Sequence, residues 1–487
     1  MRRLLGLGLA LLALGALLAL RALAPRSMQP AVEPAPAYEI RDADAAVERF
    51  AAAIRIPTVS HQDPAQDDRN AFLALHRHLE RSFPAMHAAL RRELVNDLGL
   101  VYTWPGRDAA KPPVVLMAHQ DVVPVEPGTE SNWEQPPFSG AVAGGFVWGR
   151  GALDTKGKLL ALCEAIDRLA AEGFQPERTI YLVSGQDEEV GGQRGGKAIA
   201  KRFEARGARF DWVLDEGGVI GEGLLPGVAR PVALIGIAEK GYLTLALSVS
   251  AEGGHSSIPP PHTAIGILAA AIERLEAQPL PASLGPATRQ LLAAIGPEMA
   301  LPLRIAVGNA DLLEPLLLHT LSATPRGNAA VRTTTAVTML RAGVKENALP
   351  GTARAVVNFR ILPGDTIAKV TEFVRRVIDD ARVDVRPLEG SSADEPSPES
   401  RTDSPAFALL ARTIRASYPD VVIAPNLVLG GTDARYFRPL SDNVYRFGPD
   451  RYAPDDLKRP HGSNERASVR DYLASIGFYV RLIRATD

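Results

Sequence analysis

The runs VVLMAH (114–119), TIYLVS (179–184) and DWVLDE (211–216) are continuous stretches of β-branched and aliphatic residues with almost no polar interruption. A strand that is apolar at every position has both faces covered, as in the middle of a parallel sheet. The segments KGKLLALCEAIDRLAAEG (156–173) and GGKAIAKRFEARG (195–207) are apolar at helical spacing. Strand–helix alternation of this kind predicts an α/β fold, a mixed and mainly parallel sheet flanked by helices. Ligands of such sheets sit beyond the carboxyl ends of the strands. What stands at those ends is therefore the informative part of the chain. His119 and Asp121 end the first run, Asp187, Glu188 and Glu189 follow the second, and Asp215 and Glu216 close the third. Asp154 follows the glycine-rich turn GRGAL, and His461 stands in the loop RPHGSNE.

Neutral imidazole and carboxylate oxygens are ligands for Zn²⁺ at about 2.0–2.2 Å. Two histidines and three or more acids suffice for two ions about 3.5–4 Å apart, with one carboxylate bridging. A cluster of unpaired acids at the end of a buried sheet would otherwise have to protonate or expand. Each pair taken alone is weak, since a single H-x-D is more often a turn and a single acid pair is usually solvated. The ordered set at successive strand ends is specific.

At 487 residues the chain exceeds one ordinary core. Near Gly241 the pattern changes to YLTLALSVSAEG, a half-exposed strand, followed by a helix (AIGILAAAIERLEA), the strands TTTAVTML and TARAVVNFRI, a second helix (DTIAKVTEFVRRVIDDA) and VDVRPLEG. These make an α+β unit inserted over residues 241–392 into a catalytic domain formed by 41–240 and 393–487. The first residues, MRRLLGLGLALLALGALLALRALAPR, place two arginines before an uninterrupted Leu/Ala/Gly stretch from Leu4 to Leu20 and end in an A-x-A pattern. Residues 1–24 thus read as an export signal or an N-terminal membrane anchor, and 25–40 as a Pro/Ala linker. The expected location is periplasmic, secreted or membrane-anchored.

The formal net charge of −2 offers no basic excess for a nucleic-acid partner. The single cysteine, Cys163, lies in the apolar run LLALCEAI and reads as a buried helix residue rather than a nucleophile. No G-x-S-x-G elbow is present.

The segments AHQDVVPV, GRGALDTKG, DEEVGG, LDEGG, GGHSSIPP, NFRILPGDT and GGTDARYF, in this order, resemble the di-zinc aminoacylase and carboxypeptidase family, and most closely its carboxypeptidase S and N-acyl-amino-acid hydrolase branch. The resemblance runs from about Arg41 to the end of the chain. It implies that His119, Asp154, Glu189, His461 and one acid of LDEGG, Asp215 or Glu216, hold two zinc ions, cobalt or manganese suiting the same ligands. The branch favours Asp215. It further implies that Asp121 orients His119, that a cis Asp154–Thr155 peptide follows the bridging carboxylate, and that Glu188 is the general base. In the inserted unit, His255 matches a histidine that reaches across a homodimer interface. Asn347 and Arg360 match substrate-contacting positions. Gly430, Gly431 and Thr432 match a backbone cradle for a substrate carboxylate, and Arg435 is a further candidate for that carboxylate. Asp187 has no chemical part in this scheme and reads as a turn or cap residue.

The expected activity is hydrolysis of the amide bond before a C-terminal amino acid in a peptide, dipeptide or N-acyl amino acid. Two alternatives stand beside it: an aminopeptidase of related architecture, which needs an acid to hold a free amine, and a binding module that keeps the fold without the chemistry.

Overall fold

The computed structural model of the chain describes residue 13, residues 15–23, residue 27 and residues 29–487. Most of the expected export segment lies outside the described residues, and among those described no helix is long and apolar enough to cross a membrane.

The runs that read as buried strands form the middle of a ten-stranded mixed sheet. Its order is Arg91–Val95, Gly99–Trp104, Ile180–Ser184, Val114–Met117, Trp212–Asp215, Val444–Arg446, Val232–Glu239, Ile220–Gly221 and Arg451–Tyr452, with Val422–Val428 also pairing Val232–Glu239. Ile180–Ser184, Val114–Met117, Trp212–Asp215 and Val444–Arg446 run parallel to their neighbours in that order. Gly99–Trp104 adds on antiparallel. One face is covered by Ala43–Ile54, Lys156–Ala171, Pro405–Ser417 and Val469–Arg484, and the other by Gly196–Ala205 and the turn Asp433–Leu440. Cys163 is a free, fully buried member of the first layer, and burial pushes its thiol pKa up.

The inserted unit is a four-stranded antiparallel sheet in the order Thr334–Ala342, Thr352–Ile361, Gly241–Ser250, Val383–Pro387. Two helices, Ala264–Ala277 and Ile367–Ile378, pack on it with a core of its own. Each starts at a threonine whose hydroxyl accepts an early backbone N–H, Thr263 from Gly266 and Thr366 from Lys369. The second buries Val370, Val374, Val377 and Ile378, a stripe at helical spacing.

Within 241–392 the chain also leaves this unit. The helices Pro286–Ile295, Leu301–Gly308, Ala310–Ser322 and Pro325–Val331 pack against Val232, Leu234, Val422 and Ala424 of the large sheet. The span between the two helices of the insert therefore builds a wall of the larger domain. A contiguous insert boundary misses this because nothing in the local pattern states which sheet a stripe will cover.

Candidate active site

The acids and histidines at the strand ends converge. His119 Nε2 lies 3.1 Å from Asp154 Oδ1 and 3.2 Å from Glu216 Oε1, and His461 Nε2 lies 3.1 Å from Asp154 Oδ2 and 2.9 Å from Glu189 Oε2. Two sets of potential ligands result, His119–Asp154–Glu216 and Asp154–Glu189–His461, with one oxygen of Asp154 turned to each. The Asp154–Thr155 peptide is cis. His461 sits in the left-handed backbone region at φ 61°, uncommon for a residue with a side chain.

Asp215 is not in either set. Its Oδ1 accepts from Glu216 N at 2.8 Å and its Oδ2 from Ala434 N at 2.9 Å. The branch preference for Asp215 is therefore corrected: both its oxygens are held by backbone amides, and Glu216 is the acid that faces His119.

The electrostatics of the cluster fit a cation-binding role. Burial, together with the neighbouring Asp154, pushes the Glu189 carboxyl up to about 8. His461 is pushed up to about 10 by its bonds to Asp154 and Glu189. For His119 burial opposes the charge, yet Glu216, Asp121 and Asp154 outweigh it and raise its pKa. Left to themselves these groups must take up protons to coexist, and one buried oxygen, Glu189 Oε1, has no hydrogen-bond partner. Two imidazoles and three carboxylates at this spacing suit two divalent ions bridged by Asp154.

Around this core the backbone is held by further acids. Asp121 is fully buried and accepts from Ser60 Oγ at 2.6 Å, Glu188 N at 3.1 Å and Glu189 N at 3.1 Å, with its Oδ1 3.3 Å from His119 Nδ1. One side chain thus orients both the histidine and the pair of glutamates. Asp187 accepts from Arg194 N and Gly195 N, each at 2.8 Å, at the start of the helix Gly196–Ala205. That is the capping role expected of it. Gly192 follows at φ 64°, and a Cβ there would meet Asp433 Oδ1 at 2.1 Å, so only glycine lets the chain turn this close. Glu188 lines the cleft, and burial raises its pKa well above the ordinary carboxyl value.

The cleft holds about 710 Å³. Its lining includes Asp154, Glu188, Glu189, Glu216 and His461 on the catalytic side, and Tyr242, Arg360, Gly430, Gly431, Thr432 and Arg435 elsewhere. Arg360 stacks on Tyr242 at 4.8 Å, and Arg435 on Tyr436 at 4.8 Å. Thr432 Oγ1 donates to Glu239 Oε1 at 2.5 Å, which also accepts from the fully buried Arg446 Nε at 2.8 Å. This buried pair props the 430–432 turn from beneath. His255 and Asn347 do not line the cleft. Both lie exposed at the ribbon formed by Gly254–His255 and Ala348–Leu349, where Ser256 N donates to Asn347 O at 3.2 Å.

One supporting acid lies outside the residues singled out from the sequence. Glu465 stands inside the segment RPHGSNE, and an acid four residues after His461 was the available signal. Glu465 is fully buried and accepts from Arg150 Nη1 at 2.7 Å, Gly151 N at 3.0 Å, Leu153 N at 2.9 Å and Asp154 N at 3.0 Å.

Residues 115–485 match the model of peptidase family M20/M25/M40. The chain belongs to this family. It is 39% identical over 444 residues to probable carboxypeptidase S-like 2 of Dictyostelium discoideum, covering 90% of this chain and 85% of the relative. It is 38% identical over 446 residues to human N-fatty-acyl-amino acid synthase/hydrolase PM20D1, covering 90% and 87%. Carboxypeptidase S of Saccharomyces cerevisiae is 35% identical over 495 residues, at 90% and 84%. Among solved structures, an M20 family metallo-carboxypeptidase from Sulfolobus solfataricus superimposes with a TM-score of 0.66 at 18% identity, covering 90% of this chain and 98% of the other. Human carnosine dipeptidase 1 gives 0.65 at 17%, covering 91% and 96%, so the fold is shared. This M20 chain is a metallopeptidase or amidohydrolase of the carboxypeptidase S and N-acyl-amino-acid hydrolase branch.

Proposed function

We propose that the chain hydrolyses the amide bond before a C-terminal amino acid, in an N-acyl amino acid or a dipeptide, with two zinc ions per chain. The observation that carries this reading is the pair of ligand sets sharing Asp154 beside Glu188, in a cleft that also presents Arg360 and Arg435. His119, Glu216 and Asp154 would hold one ion, and His461, Glu189 and Asp154 the other; cobalt or manganese would suit the same donors. When bound, such ions supply Lewis acidity to the substrate carbonyl and acidify water.

Glu188 takes the proton of the attacking water and delivers it to the amide nitrogen as the C–N bond breaks. Asp121 fixes His119 and the 188–189 backbone so that one glutamate ligates while its neighbour stays reactive. The guanidinium groups of Arg360 and Arg435, with the 430–432 turn, bind the carboxylate of the departing amino acid. An aminopeptidase would need an acid free to hold the substrate amine. In this cleft Asp394 lies 3.9 Å from Arg435 and Glu395 caps Ile367 N, which favours a free carboxylate as the recognised group.

His255 and Asn347 serve the cleft of a second copy in this reading. Their position outside their own cleft and the unpaired edge strand Thr334–Ala342, with Met339 and Leu340 exposed, support a homodimer through the insert. Export by the N-terminal segment is part of the same reading.

Hydrolysis of N-acyl amino acids, dipeptides and amino-acid amides, measured before and after chelation and with Zn²⁺ restored, tests the proposal. Turnover of the first two, lost to chelator and regained with zinc, is expected. Turnover of the amides alone would favour the aminopeptidase, and absence of both metal and turnover the binding module.

A further inference from the structure

The cleft gathers more positive charge than one substrate carboxylate needs. Arg360 lies over the Tyr242 ring at 4.8 Å, while Arg435 and Lys197 both lie over the Tyr436 ring, at 4.8 and 5.5 Å. The Tyr436 ring is fixed by its hydroxyl, which donates to Gly191 O at 2.6 Å. All three cations line the cleft. Among the described residues the side chains of Arg360 and Lys197 form no ion pair; Lys197 Nζ donates only to the neutral Gln193 Oε1, at 2.8 Å. Arg435 approaches Asp394 only to 3.9 Å, and its Nε is buried with no hydrogen-bond partner. Burial, together with the like charge of Arg435, holds the Arg360 guanidinium below its usual pKa. Like charges held this close in partial burial are costly until an anion joins them.

The acids that could neutralise this charge are engaged elsewhere. Glu239 accepts from Arg446 and Thr432, and Glu395 accepts from Ile367 N. Lys240, a fourth cation of the cleft, is held by two backbone carbonyls, Ala329 O at 2.9 Å and Arg332 O at 2.8 Å. Apolar contact is scarce. Apart from the Tyr242 ring, Val190, Ala393 and Val428 are the only apolar side chains among the described residues that line the cleft, and Ser391 and Ser392 stand beside Asp394. A leaving amino acid with a leucine or phenylalanine side chain would bury little apolar surface here.

Given the hydrolysis proposed above, on which this rests, we infer that the departing amino acid carries a second carboxylate. The preferred substrates are then N-acyl or aminoacyl derivatives of glutamate and aspartate. Arg360, Arg435 and the 430–432 turn take the α-carboxylate, and Lys197, beside Arg435 on the Tyr436 ring, takes the side-chain carboxylate. A neutral side chain in that place leaves the Lys197 ammonium without an anion.

The test is calorimetric titration of the full chain, supplied with zinc, with the products L-glutamate, L-glutamine and L-leucine, beside kcat/KM for their N-acetyl forms. Glutamine matches glutamate in shape and lacks its charge. Glutamate is expected to bind at least about tenfold more tightly than glutamine, with the same order in kcat/KM. Lys197→Met is expected to bring the glutamate-to-glutamine ratio to within about twofold of one, and Lys197→Arg, which keeps the charge, to retain the preference. The ratio does not depend on the amount of folded protein, so a merely structural role for Lys197 would leave it in place. Raising NaCl to about 1 M is expected to shrink it. Equal binding of glutamate and glutamine, tighter binding of leucine, or a ratio unmoved in Lys197→Met would each overturn the inference. So would faster turnover of N-succinyl-leucine than of N-acetylglutamate, which would put the second carboxylate on the acyl side. Failure of the proposed reaction looks different: no N-acetyl amino acid is then turned over, and the glutamate-to-glutamine binding ratio still decides the specificity.

Discussion

Glu216 Oε1 lies 3.2 Å from His119 Nε2, while its neighbour Asp215 turns both oxygens onto backbone amides. The two acids of LDEGG therefore separate by function. If two ions bind as proposed, Glu216→Gln is expected to lose one of them and at least about 100-fold in turnover, read by metal analysis and steady-state kinetics. Asp215→Asn is expected to keep both ions and to lose about 1–3 kcal/mol of stability, because its new amide group faces a backbone donor.

Glu465 joins the two loops that carry Asp154 and His461. It sits four residues after His461 in sequence and accepts four donors from residues 150–154. Glu465→Gln keeps the shape and removes the charge that Arg150 neutralises. Zinc titration is expected to show affinity weakened about 10- to 100-fold, and thermal unfolding a loss of about 3–5 kcal/mol.

His76 supplies a pH dependence. It is buried, and its Nε2 lies 2.8 Å from Gln120 Oε1, between His119 and Asp121 in sequence. Burial lowers its pKa below the usual 6.5, so the folded state binds fewer protons than the unfolded chain. Its contribution is complete above pH 6.5 and is lost as pH falls through the folded value. Thermal midpoints between pH 7.5 and 5 are expected to fall more steeply for the wild type than for His76→Gln, which keeps a donor to Gln120 but does not titrate.

Much of this site could be read along the chain because the alternation of apolar runs located the strand ends, and chemistry at strand ends is confined to few residues. The separation of Asp187 from Glu188 and Glu189 was legible for the same reason: three adjacent acids leaving a strand cannot all point one way. The choice between Asp215 and Glu216 was not, since it depends on the residue at which Trp212–Asp215 stops pairing. Glu465 was hidden because its partners lie in another loop, and a buried acid looks like a solvated one in sequence. The helices between Pro286 and Val331 were missed as a layer of the large domain because an apolar stripe does not name the sheet it covers. His255 and Asn347 lie outside the cleft of their own chain, which no local pattern states.

Glu188→Gln tests the central claim most directly, with metal content and turnover measured on the same sample. The account predicts two ions per chain in the variant and in the wild type alike, and a turnover lowered about 10²- to 10⁴-fold in the variant. Near wild-type turnover with the ions in place would contradict it.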